Sequence, residues 1–399
     1  MVHGRIRALV RMSPACPVVV GSAFVAQYPQ GGGNFWVPLQ YLLGLRELGY
    51  DAWWLEVLWT RGDADRDRRY IDAFFDHVRE LGVADRVVLG YFATGSKDEP
   101  DGPPVYLGPG AAALAARKGD ALLLNMVHSL TPSLREGFAR TALFDLDPGG
   151  FQIWATQWDM GVGKHDVHLT IGMNLGAPDS PVPLHGVCWE RLWPAVYLPA
   201  WPAQAVLPAQ RGAYTTVTQW WSNSWAFLGD ETYDCNKRTG FLRLLPLGDR
   251  VDVRLELAAN VHPNELEDRA LLAQHRWHLL DPTVVAGTPQ AFRRFVHDSR
   301  GEVSAAKPSY VKARAGWISD RTICYLASGR PCVVEATGAE AHLPASDGLR
   351  FFHTVDEAAD ALRAVESDYA GASRAARVLA EEVFSTRVTI PALLRAAGA

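Results

Sequence analysis

Short apolar runs of strand length alternate with helical patterns along this chain, and that alternation limits the folds open to it. The run Val18–Val25 precedes a helical pattern that ends at Leu48, and the run Trp53–Leu58 follows. Strand, helix and strand at this spacing are typical of right-handed crossovers in a parallel sheet. Further strand candidates in this part of the chain are Val87–Tyr91, Ala121–Val127 and Val167–Ile171.

A proline-rich segment interrupts the alternation. Seven prolines fall between residues 178 and 208, and each fixes φ and removes a backbone donor. The segment therefore predicts an interdomain connection with a restricted path and little regular structure. Strand patterns resume at Tyr214–Thr218 and Val253–Leu257, and a helix begins with a capping box at Thr354 and Glu357.

Length and alternation together predict two α/β domains that face one another. A chain of 399 residues corresponds to two or three domains at about 100–200 residues each, and two is the better expectation. The expected units are residues 1–205, residues 206–380, and a terminal helix at 381–399 that packs back on the first domain.

Charge and cysteine content bear on partners and compartment. The net charge is −5, which argues against a protein that binds by neutralising nucleic-acid phosphates, so we expect no nucleic-acid partner. No stretch reaches the roughly 18 apolar residues of a membrane span. The five cysteines contain no CxxC pair and predict neither a disulfide framework nor a zinc site, which fits the cytoplasm.

The N-terminus offers an alternative interpretation as a secretory signal. Arg5, Arg7 and Arg11 precede the apolar stretch that begins at Val18. Prolines interrupt the region that would form the helical core of a signal peptide, whereas a buried first strand explains the valines. We therefore favour the strand.

The segment from Gly316 to Pro331 is the most informative part of the sequence. Ser319 is a good N-cap for a helix that ends before Pro331, and the free amide groups of a first helical turn favour an anion. Arg321 adds a planar cation suited to phosphate, and Asp320 can accept hydrogen bonds from ribose hydroxyls. The alternative is purely structural, with Ser319 as a cap, Asp320 complementing the dipole and Arg321 in solvent.

The same segment carries a resemblance to a known family. Ser319–Val334, followed by Glu335-Ala336-Thr337-Gly338, resembles the donor-binding helix and next strand of GT-B fold glycosyltransferases. The run from Ser299 to Tyr310 and the chain's ending around Asp356–Phe384 are also similar to that family. The resemblance implies two Rossmann-like domains facing across a cleft, with the acceptor on the first domain and a nucleoside diphosphate-sugar donor on the second.

The resemblance also implies a set of donor-binding residues. A diphosphate leaving group needs amide and cationic groups where its charge develops. The Gly31–Asn34 loop follows the first strand, where open α/β sheets bind ligands, although a plain turn is the alternative. Cys324 stands where many retaining relatives carry Glu, so the ribose contact is expected of Asp320 and the stereochemical outcome stays open. The candidate donor-binding residues are Gly32, Gly33, Asn34, Arg300, Lys307, Ser319, Asp320, Arg321, Thr337 and Gly338.

A general base must be a carboxylate or an imidazole within reach of the acceptor. Asp147, Asp159, His128 and His165 are the candidates in the first domain, and we select Asp147 and His165 as catalytic. DxD spacing occurs at Asp145-Leu146-Asp147 and within 63–67, but we interpret the first as structural or acceptor-facing and the second as solvated rather than as metal motifs. GT-B enzymes generally replace a metal with cationic groups, so we expect no metal and no cofactor besides the sugar nucleotide.

Two other functions are compatible with the same scaffold. One is an epimerase or hydrolase of nucleotide sugars, and the other is a non-catalytic sugar-nucleotide-binding protein. The sequence contains no P-loop GxxxxGK[ST], no HExxH and no GxSxG, so it lacks the commonest ATPase, zinc-protease and α/β-hydrolase signatures. Transfer of a sugar to an acceptor that the sequence does not identify is the function we favour.

Overall fold

The computed structural model describes residues 16–95, 102–126, 130–178, 180–208, 211–222 and 224–398. The predictions that rest on Arg5, Arg7, Arg11 and His128 lie outside these residues.

The N-terminal half forms one sheet. Its strands are β1 (Val18–Ser22), β2 (Ala52–Trp59), β3 (Val87–Phe92), β4 (Val105–Leu107), β5 (Leu122–Met126), β6 (Arg140–Asp145), β7 (Val167–Thr170) and β8 (Trp189–Arg191). They lie in the order β4-β3-β2-β1-β5-β6-β7-β8 and pair in parallel, except that β4 is antiparallel to β3. All eight residues of β2 are buried, as expected for a parallel sheet covered on both faces.

Helices connect these strands. They are α1 (Gly32–Glu47), α2 (Ala64–Glu80), α3 (Ala111–Arg117), α4 (Pro132–Arg135) and α5 (Gly150–Trp154). Strand β1 ends earlier than predicted, because the buried carboxylate of Glu56 accepts hydrogen bonds from the amides of Val25 (2.8 Å) and Ala26 (3.1 Å). Glu56 thereby fixes the loop that leads from β1 to α1.

The C-terminal half forms a second, fully parallel sheet and a hairpin. The sheet strands are β9 (Tyr214–Thr218), β12 (Leu255–Ala259), β13 (Trp277–Leu280), β14 (Gly301–Ser304), β15 (Cys332–Glu335) and β16 (Leu349–Phe352), and the hairpin strands are β10 (Trp225–Leu228) and β11 (Glu231–Asp234). The order of the sheet is β13-β12-β9-β14-β15-β16. The predicted α/β class with parallel sheets is confirmed.

The helices of this half begin with α6 (Lys237–Leu244), α7 (Leu266–Gln274), α8 (Pro282–Val285), α9 (Pro289–Asp298), α10 (Pro308–Lys312) and α11 (Asp320–Ala327). The last three are α12 (Val355–Ser367), α13 (Tyr369–Leu379) and α14 (Thr386–Ala397). None of the helices in the described ranges has the length and apolar character that a bilayer span requires.

The chain crosses between the halves twice. The described part of the proline-rich segment contains β8 and one 3-10 turn, Leu198–Ala200, as regular structure. After α13 the chain returns, and α14 packs on α1, where Thr386 lies against Gly44 and Arg387 pairs with Glu47 (2.7 Å). The boundaries at residues 205 and 380 stay predictions.

Candidate active site

A cavity of about 300 Å³ lies between the two halves, and we call it the cleft cavity. The N-terminal half contributes the loop after β1 and the first turns of α1. The C-terminal half contributes residues that follow β9, β12 and β13, together with the start of α11. Open α/β sheets bind ligands at the carboxyl ends of their strands, so this position fits a ligand site. Six predicted donor residues line it: Gly32, Gly33, Asn34, Ser319, Asp320 and Arg321.

The glycine loop is a close contact between the halves. The Gly32 amide donates to the Ala286 carbonyl (3.1 Å), and the Trp36 indole donates to the Pro289 carbonyl (3.0 Å). A Cβ atom at Gly32 would lie 2.1 Å from the Thr288 carbonyl oxygen. Glycine is therefore required at this position, because only a residue without a side chain lets the two walls of the cleft cavity approach.

Helix α11 begins as the sequence predicts, but its arginine is not in solvent. Ser319 Oγ accepts from the Arg321 amide (3.2 Å). The Arg321 side chain is 13% exposed and pairs with Glu302, which is fully buried, at 2.6 Å. Its other nitrogens donate to the Val217 carbonyl (2.8 Å) and to Ser304 Oγ (2.7 Å). These contacts use three of the five N–H groups of a guanidinium, so two have no partner among the residues that the structure describes.

Asp320 is an open carboxylate in the wall of the cleft cavity. Among the residues that the structure describes, no side chain donates a hydrogen bond to it. Burial raises the pKa of Asp320 to about 6. A carboxylate without side-chain donors can accept hydrogen bonds from ligand hydroxyls.

Asp320 should also make stability depend on pH. The raised pKa means that the folded state disfavours the charged carboxylate relative to the unfolded chain. Ionisation of Asp320 therefore lowers the free energy of unfolding as the pH rises from about 4 through about 6. We expect Asp320→Asn to be more stable than the native protein at pH 8, by about 1–3 kcal/mol, and to show no such gain at pH 4. Urea unfolding of both proteins at the two pH values measures this, and an equal difference at both would contradict it.

Asp147 and Lys307 form an ion pair with each other, and neither lines the cleft cavity. Lys307 Nζ lies 2.9 Å from Asp147 Oδ2, and the Tyr310 hydroxyl donates to Asp147 Oδ1 (2.5 Å). The contact joins the loop after β6 to the start of α10, across the two halves. Asp147 and Lys307 are therefore partners in an ion pair between the halves.

Asp145, the other carboxylate of the DxD sequence, is also engaged within the protein. It accepts from Gln152 Nε2 (2.7 Å), Thr170 Oγ1 (2.8 Å) and the Asp147 amide (2.9 Å). Burial raises its pKa to about 6. Among the described residues, no group of three or more His, Cys, Asp and Glu side chains is arranged to hold a metal ion.

Arg300 lies away from the other candidates. It precedes β14 and therefore sits at the amino end of the sheet, opposite to the cleft cavity. Two of its nitrogens lie 2.7 Å from the Glu366 oxygens, and a third donates to the carbonyls of Leu207 and Pro208. The structure does not bring Arg300 to the donor candidates, and we leave it out of the proposed site.

Thr337 and Gly338 lie next to the loop that leads into α11. Thr337 Oγ1 accepts from the Trp317 amide (2.9 Å) and donates to the Trp317 carbonyl (2.7 Å). Gly338 has φ +95° and lies against Asn174, so a side chain would be strained there. These residues fix the loop that precedes Ser319 and do not line the cleft cavity.

His165 lies in another part of the N-terminal half. Its Nδ1 lies 2.8 Å from the Gly161 carbonyl and its Nε2 lies 2.9 Å from Asn125 Nδ2. A carbonyl partner requires the proton on Nδ1, so Nε2 accepts from Asn125. Burial lowers the pKa of His165 to about 4, which keeps the ring neutral above that pH.

Several polar residues of the cleft cavity are not among those predicted from the sequence. Gln219 follows β9 directly, Asn260 follows β12, and Gln40 lies on α1. The rule that ligands bind at strand ends would have found Asn260, but the strand predicted at Val253–Leu257 ends two residues before the observed one. A half-buried cation, Lys237, begins α6, where its Nζ donates to the Ala305 carbonyl (2.9 Å); burial lowers its pKa, and the nearby charge of Arg321 acts in the same direction.

Comparison with known proteins rests on structure, since no family model and no curated protein match the chain. An alpha-glucosyltransferase in complex with UDP and a 13-mer DNA containing a HMU base is similar at a TM-score of 0.58 and 9% identity, over 96% of this chain and 100% of that one. HepE from Anabaena in complex with UDP and glucose is similar at a TM-score of 0.55 and 12% identity, over 96% and 98%. Both are GT-B glycosyltransferases. The chain has the GT-B fold. The prediction of two Rossmann-like domains facing across a cleft is thereby confirmed.

The comparison corrects one expectation. Another similar GT-B structure is an alpha-glucosyltransferase in complex with UDP-glucose and DNA containing an abasic site, at a TM-score of 0.52 and 8% identity over 96% of this chain and 100% of that one. The prediction of no nucleic-acid partner is therefore wrong. It relied on the net charge of the whole chain, which does not describe the local surface that meets an acceptor.

Proposed function

We propose that the chain is a metal-independent glycosyltransferase that transfers a sugar from a nucleoside diphosphate donor bound in the cleft cavity. The observation that carries this proposal is the cavity itself, at the carboxyl ends of β9, β12 and β13, with the capped start of α11 on one side and the glycine loop on the other. Similar structures that hold UDP or UDP-glucose support a uridine nucleotide as the donor.

Each part of a sugar nucleotide has a partner in the cleft cavity. The diphosphate is placed at the start of α11, where Arg321 has two unused N–H groups and the helix dipole favours negative charge. The open carboxylate of Asp320 accepts from the ribose hydroxyls. The amides of Asn260 and Gln219 are placed against the edge of the base.

The chemistry follows from this placement. Negative charge builds on the diphosphate as the bond to the sugar breaks, and Arg321 with the first-turn amides stabilises that charge. A metal is not assigned to this role, because both carboxylates of the DxD sequence are engaged by protein donors. The acceptor enters from the N-terminal half, and duplex DNA is one acceptor class to be tested.

Asn260→Ala should weaken UDP binding about two- to tenfold, since a hydrogen bond between the Asn260 amide and the base is lost. Asn264→Ala, an exposed change in the same loop, is the matched control and should bind UDP like the native protein. Titration calorimetry measures both affinities, and equal affinities would remove Asn260 from the proposed site.

Turnover separates transfer from the other functions. UDP-glucose should be consumed in the presence of EDTA only when an acceptor such as duplex DNA or a saccharide is added. Consumption without an acceptor would identify a hydrolase or epimerase, and UDP binding without turnover across acceptors would identify a binding protein.

A further inference from the structure

A second cavity of about 490 Å³ lies in the N-terminal half. Asn125 of β5 forms part of its wall, and the segment 158–165 forms the opposite side. Asn125 pairs with Gly21 of β1, whose following loop lines the cleft cavity. The two cavities therefore open from neighbouring strands of one sheet.

Arg135 brings a positive charge without a carboxylate partner into the second cavity. Its Nη1 donates to the Lys164 carbonyl (3.0 Å), and within the described ranges no carboxylate oxygen lies within 4.0 Å of its guanidinium. Burial lowers the pKa of Arg135, although Asp159 and Glu136 act in the opposite direction. Arg300 and Arg321, by contrast, are paired with Glu366 and Glu302.

The other cation and anion of this cavity neutralise each other. Lys164 Nζ pairs with Asp159, which also accepts from the Gly161 amide (2.9 Å). Among the described residues that line this cavity, the uncompensated charge is therefore that of Arg135. A partly desolvated guanidinium with free donors favours a phosphate or a carboxylate, which it can bind with two parallel hydrogen bonds.

An aromatic side chain stands at the same cavity. Trp158 lines it and is 57% exposed. The segment that carries Trp158 is anchored to the other half, because Trp154 Nε1 donates to the Trp225 carbonyl (3.0 Å) and Gln157 Nε2 donates to the Phe227 carbonyl (2.8 Å). An exposed indole held in this way offers a flat apolar face to a sugar ring or a base.

We propose that the second cavity is the acceptor subsite and that it selects an acceptor whose ring carries a phosphate or carboxylate, with Arg135 on the anion and Trp158 on the ring. This proposal rests on the proposed function. The neutral His165 and the Asn125 amide that fixes it shape the polar wall of the subsite. A cavity of this volume accommodates a single sugar phosphate or nucleotide.

The test is a binding titration in the presence of UDP, with inorganic phosphate, glucose 6-phosphate, thymidine 5′-monophosphate and glucose as probes. Arg135→Met keeps the aliphatic stem and should weaken binding of the three phosphate probes roughly tenfold. Arg135→Lys should restore part of that affinity, and Trp158→Ala should weaken the two ring-bearing phosphates while leaving inorganic phosphate unchanged. Arg79→Met, at an exposed arginine paired with Asp76 on α2, is the matched control.

The outcomes distinguish this proposal from the proposed function. Stronger binding of glucose 6-phosphate identifies a saccharide acceptor, and stronger binding of the nucleotide identifies a nucleic-acid acceptor. Equal phosphate affinity in Arg135→Met and Arg79→Met, or a preference for neutral glucose, would overturn the proposal. An unchanged UDP dissociation constant in Arg135→Met shows that the variant is folded, and failure of UDP to bind the native protein would instead count against the donor site.

Discussion

Arg321→Met is expected to destabilise the folded protein by about 3–5 kcal/mol, because it leaves Glu302 as an unpaired charge in the interior. Glu302 is fully buried, and its Oε2 already has no hydrogen-bond partner in the described structure. Arg321 Nε is the group that balances the other oxygen, at 2.6 Å. Urea unfolding measures the loss, and a change below about 1 kcal/mol would contradict a buried ion pair at this position.

A second variant separates the structural role of Arg321 from its role in binding. The double change Arg321→Met with Glu302→Gln removes both charges, so it should recover much of the lost stability. We expect its UDP dissociation constant to rise tenfold or more, because the cation at the start of α11 is gone. A stable double variant that binds UDP like the native protein would remove Arg321 from the donor site.

Gly32→Ala is the second change with a large expected effect. The new methyl group would lie 2.1 Å from the Thr288 carbonyl oxygen and 2.5 Å from that of Ala286. Since both atoms belong to the backbone of the other half, the two walls of the cleft cavity must separate. We expect a loss of about 1–3 kcal/mol in the free energy of unfolding and at least a tenfold weaker UDP affinity.

Two other glycines provide graded controls for this experiment. At Gly33 the methyl group would meet the Phe292 ring at 3.1 Å, which is a milder contact with a side chain. At Gly119 nothing lies within 4 Å, so Gly119→Ala should bind UDP normally. If Gly32→Ala matched Gly119→Ala in both stability and affinity, the glycine loop would not set the spacing of the cleft.

The parts of the fold that the sequence predicted correctly depend on local signals. Continuous apolar runs marked β1, β2 and β3, and Ser319 marked the start of α11. The hairpin of β10 and β11 was not predicted, although Gly229-Asp230 between its strands is a common two-residue turn. Its strands are short, so its apolar pattern is weak.

Arg300 and Lys307 were predicted to lie together at the donor, but their positions in space differ. Arg300 and Lys307 are seven positions apart, but β14 lies between them. Arg300 is therefore at the amino ends of the strands and Lys307 is beyond their carboxyl ends. A strand of four residues spans roughly 13 Å, which separates the two cations. The ion pair between Lys307 and Asp147 depends on how the halves meet, and no local pattern reports that arrangement.

The two covalent passages between the halves restrict how the cleft can open. One passage follows β8, and the other follows α13 and leads into α14, which packs on α1 with Thr386 and Ile390 against Gly44. Two tethers suppress sliding and twisting of one half against the other, and they leave rotation about the line through both as the low-cost motion. We expect a nucleotide to be admitted by a hinge movement about that line, and we expect removal of the last helix to free the other directions of movement.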